Sequence, residues 1–248
     1  MAVHAHRASL KVIKAIFEAR YDDGYRYLDR CGETLVQIRK YSPSWVPGQI
    51  DPQRGVVTNF VHQLTLNMGH QSMLVATNDE LDYIAMEKKL QVFAQEAEVL
   101  YKIIVETLNV PNTTRVGLRV QFMAPADALE EAHKFVRDAA VSPLWASIQE
   151  YTRTELRSAS MLYVLEEQES GLRRRIELSP VARVQVGDPL ITGLASDRGS
   201  GGVMVDIDSF TRPEEGHLPK AGMFIQKNFL SAHGITLPVL DWLRQHER

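Results

Sequence analysis

Cysteine is almost missing from this chain. Cys31 stands alone among 248 residues, so no internal disulfide can form. Unpaired thiol chemistry fits a reducing compartment, and the expectation is a cytoplasmic protein. Cys31 has no partner spacing that would make it a nucleophile and reads as a small apolar residue on a helix. A dominant charge is missing too: 28 Lys and Arg stand against 31 Asp and Glu, a formal net charge of -3. That balance creates no field suited to nucleic acid or an anionic membrane, and neither is an expected partner. No apolar run reaches the roughly 18 residues of a membrane span, and the start MAVHAHRASL lacks the apolar segment of a signal peptide.

Familiar catalytic signatures are absent as well. The 8 histidines are scattered, with no H-x-x-x-H pair and no cysteine pair to complete a zinc site. The glycines from Gly199 to Gly202 are followed by a strand pattern and by no Lys-Ser or Lys-Thr, which rules out a phosphate-cradling loop leading into a helix. Ser200 lacks the G-x-S-x-G elbow. No cofactor motif is present, and none is expected.

What is present is ordinary core material, 44% hydrophobic and 24% charged, arranged in an order that occurs twice. In the first half, alternation over residues 9–21 predicts a strand with Ala15, Phe17, Ala19 and Tyr21 on one face and Glu18 and Arg20 on the other. Asp22-Asp23-Gly24 signals a turn, and Tyr27, Leu28, Cys31, Leu35 and Ile38 then recur at helical spacing over 25–40. The Pro-rich residues 42–52 read as a loop. Residues 56–68 read as one strand carrying His62, with Leu64, Leu66 and Met68 inward, forming a hairpin with 72–76. Thr77-Asn78-Asp79-Glu80 has the form of a capping box, opening a helix over 79–109 with Met86, Leu90, Phe93, Ala97, Leu100, Ile104 and Leu108 on its apolar stripe.

The second half repeats the order. Val116, Leu118, Val120 and Phe122 alternate with Arg115, Gly117, Arg119 and Gln121, a strand with a basic outer face. Asp127 caps a helix carrying Leu129, Ala132, Val136 and Ala139, and Ser142-Pro143 opens a further turn. Residues 157–167 and 172–186 form a long hairpin turning at Glu169-Ser170-Gly171, and 193–202 form a glycine-rich loop. A strand follows over 203–210, with Met204, Asp206 and Asp208 opposite Val203, Val205 and Ile207. Helices over 219–233 and 236–245 are separated by Gly234 as a C-terminal cap.

Arg115-Val116-Gly117-Leu118-Arg119, the strand from Val203 to Asp208, and the stretch from Phe229 to Ile235 resemble a sporadically distributed bacterial family of about this length with no established function. The resemblance spans nearly the whole chain. Where that family continues its central strand with an aromatic and an Asn, this chain has Val120-Gln121. The resemblance implies a bacterial or phage context and a role outside housekeeping, in antiviral defence, and brings no catalytic residues with it.

Two constellations carry chemistry. Asp206 and Asp208 share a strand face and could hold Mg²⁺ or Mn²⁺ with Asp22 as a further ligand, the donor set of a nucleotide enzyme. Arg115, Arg119, Arg173 and Arg175, with Arg174, Arg183, Arg153 and Arg157 nearby, could line a groove for a phosphate or carboxylate ligand. The bland alternative for these arginines is pairing with Glu155, Glu166, Glu167 and Glu169 across the hairpin.

The expectation is therefore an α+β fold built from a duplicated strand-helix-antiparallel strands-helix unit, with helices on one face of the antiparallel sheet. The halves are residues 1–111 and 112–248. The expected function is non-enzymatic binding or interaction, by self-association or with a protein partner, with an anionic small ligand as a variant. The alternative is a divalent-metal-dependent nucleotide enzyme using Asp206 and Asp208.

Overall fold

The computed structural model describes residues 10–22, 26–126, 128–140, 158–168, 170–183, 191–192, 200–213, 216, 218 and 220–245. The first half runs β1 (Lys11–Tyr21), α1 (Arg26–Tyr41), β2 (Trp45–Ile50), β3 (Arg54–Asn59), β4 (Leu64–Gly69), β5 (Ser72–Thr77), β6 (Leu81–Asp82) and α2 (Tyr83–Thr107). The second runs β7 (Thr113–Ala126), α3 (Leu129–Ala140), β8 (Met161–Glu166), β9 (Arg173–Arg183), β10 (Ile191–Thr192), β11 (Ser200–Thr211) and α4 (Ala221–Gln245). All strands belong to one 11-stranded antiparallel sheet, ordered β10-β9-β11-β7-β1-β5-β4-β3-β2, with β6 on β1 and β8 on β9.

The duplication is visible in that order. β1 and β7, the first strand of each half, pair at the centre, and the last long strand of each half (β5, β11) lies directly outside its own first strand. The fold is α+β with a repeated unit, and the repeats share a single sheet.

Alternation decides which face is covered. Ala15, Phe17 and Ala19 of β1, Val116, Leu118, Val120 and Phe122 of β7, and Val203, Val205 and Ile207 of β11 are all buried in one cluster. The helices supply the other half of that core: Met86, Phe93, Ala97, Leu100 and Ile104 from α2, Phe135 and Val136 from α3, and Ile225, Phe229 and Leu240 from α4. Burial of this much apolar surface on one side is the main stabilising term. Leu28, expected on the apolar stripe of α1, points to solvent, because the buried stripe runs through Tyr27, Thr34 and Ile38.

Several local expectations are corrected. Residues 42–52 are not all loop: Trp45–Ile50 forms β2, and Pro47 is tolerated because β2 is the edge of the sheet, where a missing amide costs no ladder bond. Residues 56–68 are two strands. The Asn59 side chain accepts from the amides of Val61 (3.1 Å) and His62 (3.0 Å), folding the chain over, and Gln63 takes φ 50 before β4 begins. His62 therefore sits in that turn.

Thr77 is not a helix cap. It ends β5, and its hydroxyl accepts from the Ala15 amide of β1 at 3.0 Å; the N-cap of α2 is Asp82, which accepts from the Ala85 amide at 2.8 Å. At the other end Val110 N–H reaches Val105 O (3.0 Å) and Asn109 N–H reaches Glu106 O (3.2 Å), with Asn109 at φ 50. That is a Schellman closure, so the helix ends before Pro111. The glycines Gly201 and Gly202 belong to β11, not to a loop.

The C-terminal pair of helices is one helix. α4 passes through Gly234 and Pro238 without a break. The proline removes one amide bond to the carbonyl of Gly234, and packing of Phe229, Ala232 and Leu240 on the core compensates. The expected Asp127 cap, the Ser142-Pro143 turn, the turn residues Asp23, Gly24 and Glu169, Arg153, Glu155, Arg157, the side chain of Arg183, and residues 193–199 lie outside the described residues.

Candidate functional site

The face of the sheet turned away from the helices carries the charge. Register sets the rows across it. Ile16 of β1 stands beside Arg119 of β7, then Asp208 of β11, Arg175 of β9 and Val164 of β8. One row on come Glu18, Gly117, Phe210, Arg173 and Glu166. In the other direction Gln121, Asp206, Glu177 and Leu162 line up. Beyond them Met123, Met204, Val181 and Ile13 form a small apolar cluster.

The two expected constellations meet in part: Arg119 pairs with Asp206 and Arg115 with Asp208. Arg119 donates to Asp206 from Nε at 2.8 Å and from its terminal nitrogen at 2.5 Å, and Gln121 adds a bond of 3.0 Å. Asp206 is 4% exposed, so its carboxylate is desolvated, while the Arg119 side chain stays half open to water. The hydrogen bond to Asp206 holds the Arg119 pKa above its ordinary value. Arg115 bridges Glu18 and Asp208, the latter at 2.6 Å. Burial raises the Asp208 pKa, with the Arg115 charge opposing it.

Asp22 does not join Asp206 and Asp208. Asp208 lies in the row of Ile16, and Asp22 sits six residues further along, roughly 20 Å away at strand spacing. Among the described residues no three His, Cys, Asp or Glu side chains gather into a metal-holding group. Asp206 and Asp208 are instead guanidinium partners.

The four candidate arginines divide. Arg119 and Arg175 border a crevice of about 40 Å³ with Glu177, Asp206 and Asp208. Arg115 and Arg173 face a much larger cleft of about 830 Å³, together with Arg20, Arg212, Phe210 and Glu166. Arg20, Phe210 and Arg212 were not singled out from the sequence. The signal was available in principle, since Phe210 continues the Asp206, Asp208 alternation and Arg20 that of Glu18, but their convergence needs the register. The bland pairing across the hairpin also occurs, Arg173 bonding Glu166 at 3.1 Å and Arg174 pairing with Glu167, whereas Arg175 bonds Glu177 of its own strand at 3.1 Å.

The other unusual feature is β8. Its one ladder partner among the described residues is β9. Leu162, Tyr163, Val164 and Leu165 are 54%, 48%, 64% and 50% exposed, an apolar run open on both sides. The opposite edge, β2, has Pro47 and a register shift between Pro47 and Ile50, devices that block strand addition. β8 has neither.

Fold and site together define an α+β protein with a repeated unit, one helix-covered sheet face, one ion-paired face and, among the described residues, an edge strand with no partner on its outer side. No family model and no curated protein matches the chain. Among solved structures it is similar to a TBP from Methanococcus jannaschii, with 12% identity over 93% of this chain and 98% of that one. The TM-score is 0.25, too low for that likeness to carry an argument. Among the described residues no helix is long and apolar enough to cross a membrane.

Proposed function

We propose that this chain is a non-enzymatic interaction protein that assembles with a second copy of itself through β8. The observation that carries the reading is the run Leu162–Tyr163–Val164–Leu165, about half exposed on an edge strand. No described strand pairs with its outer side, so its amides and carbonyls stand there beside apolar side chains as a template for another strand.

A second copy fits it. In antiparallel pairing about a two-fold axis through Tyr163, Leu162 stands opposite Val164 of the second copy, and Met161 stands opposite Leu165 of the second copy. Every such cross-strand pair is apolar, and no like charges oppose each other. The contact is small, below the roughly 1,000 Å² of a stable interface, so dissociation at about 1–100 µM is expected.

Sedimentation velocity over a concentration series tests this. Leu162→Lys is the informative variant, because the new cation faces Glu177 within its own sheet yet meets an apolar side chain in the dimer. Wild type is expected to shift from monomer to dimer with concentration, and Leu162→Lys to stay monomeric. A wild type that remains monomeric at about 500 µM, well above that range, would sink the proposal. So would undiminished association of the variant.

A further inference from the structure

The cleft at the end of the ion-paired face goes beyond self-association. We infer that it is a binding site for a small, multiply charged oxyanion group, of the phosphate or polycarboxylate type.

Its lining is one-sided. Arg20 from β1, Arg115 from β7, Arg173 from β9 and Arg212 just after β11 converge on it, and Glu166 is the only acid among the described lining residues. Among the other polar side chains there, the Thr114, Ser170 and Thr211 hydroxyls donate to Arg20 O, Glu167 and Arg212 O, which leaves the Gln168 amide as a further donor to a ligand. Carboxylates offset part of the repulsion among these guanidinium groups: Arg20 bonds Glu18 at 2.9 Å, Arg115 bonds Glu18 and Asp208, and Arg173 bonds Glu166; an anion relieves the remainder, centred on Arg212.

The arginines are also differently prepared. Arg115 is held on Glu18 and Asp208, with its guanidinium carbon 4.5 Å from the centre of the Phe210 ring. Two carboxylates and a ring fix its position, so little rotamer freedom is left to lose on binding. Its Nε proton and the second proton of each terminal nitrogen remain as donors. Gly117 makes the arrangement possible: a Cβ there would stand 3.2 Å from Phe210 Cβ and 3.4 Å from the Arg115 guanidinium carbon.

Arg173 and Arg212 are the adaptable members. The Arg173–Glu166 pair is exposed on both sides, 52% and 54%, and such pairs yield readily to a stronger anion. Arg212 is exposed and has no ion-pair partner among the described residues. Carboxylate and phosphate both match the guanidinium fork, so the site selects charge and size before identity.

Titration calorimetry with inorganic pyrophosphate, and in parallel with citrate, tests the site on the full chain. Saturable binding near one per chain is expected for at least one probe, with dissociation below about 1 mM at about 0.15 M salt. Arg212→Ala and Arg173→Ala should each weaken it about tenfold or more, whereas Arg175→Ala, outside the cleft, should leave it unchanged. Both weakened residues are exposed, and circular dichroism checks that the variants remain folded. Binding of pyrophosphate alone marks a phosphate-bearing ligand, and binding of citrate alone a polycarboxylate; either supports the site.

No saturable heat with either probe up to about 10 mM overturns it, as does unchanged binding by Arg212→Ala. Retention of a short single-stranded RNA without binding of either small probe also overturns it. Repeating the titration on Leu162→Lys separates this site from the β8 proposal: binding retained by a monomer stands whatever happens to assembly.

Discussion

Arg119 holds Asp206 with two nitrogens, at 2.8 and 2.5 Å, and the two partners differ in exposure: the carboxylate is 4% exposed and the guanidinium 48%. Removing one side is therefore unlike removing the other. Arg119→Ala strands a desolvated carboxylate with only Gln121 to bond it, whereas Asp206→Asn leaves a guanidinium that water reaches. We expect about 2–3 kcal/mol of destabilisation for Arg119→Ala and about 1 kcal/mol for Asp206→Asn. Urea unfolding of both variants checks the order, and equal losses would refute the asymmetry.

Asp208 and Asp51 should titrate in opposite directions. Burial lifts Asp208 above the usual aspartate range, while hydrogen bonds from the Gln53 and Arg54 amides lower Asp51. By linkage, the Asp208 contribution to stability is present at low pH and lost as pH rises through its raised folded value. The Asp51 contribution runs the other way, present above the unfolded value and lost as pH falls through the folded one. Carboxyl-carbon NMR titration should find the Asp208 midpoint above that of Asp51; the reverse order would contradict the buried placement.

Glu96 is buried in α2, accepts from the Trp45 indole at 2.9 Å, and lies 3.6 Å from the His62 ring. Glu96→Leu leaves the fully buried indole N–H without its acceptor and should cost about 1–3 kcal/mol. Glu96→Gln keeps an acceptor and should cost less. Thermal unfolding of the two, compared with the parent, decides.

Gly234 lies inside α4, and an added Cβ would meet nothing within 4 Å. If the helix is continuous, Gly234→Ala should stabilise by about 0.5–1 kcal/mol, because alanine gains helix propensity with no clash. A capping role for the glycine would make the same change destabilising, so the sign of the shift in denaturant midpoint separates one helix from two.

The elements legible in the sequence are those whose own residues carry the period. β7 alternates over residues 115–122 and β11 over 205–208, and α2 repeats its apolar residues every three or four positions, so their type and buried faces follow from local geometry. The elements that were misread depend on partners far away. Thr77 looks like a cap until the Ala15 amide, 62 residues distant, claims its hydroxyl. Residues 45–50 look like loop because Pro47 cannot serve a central strand, and only the sheet order reveals that it sits on an edge. Gly234 looks like a stop until core packing carries the helix past it.

The same division governs the site. Charged residues concentrated on one face of β1, β7, β9 and β11 already dictated a polar side opposite an apolar one, since a strand turns alternate side chains to opposite sides. Which charges meet was beyond any local pattern. Pairing register set Asp208 beside Arg119 in the ladder while the Arg115 guanidinium reached across to its carboxylate, making a proposed metal ligand an arginine's anchor. It also gathered Arg20, Arg115, Arg173 and Arg212 on one cleft and left β8 at the margin. Strand neighbours are chosen by long-range packing of the whole core, and a one-residue slip would have sent every one of these side chains to the opposite face.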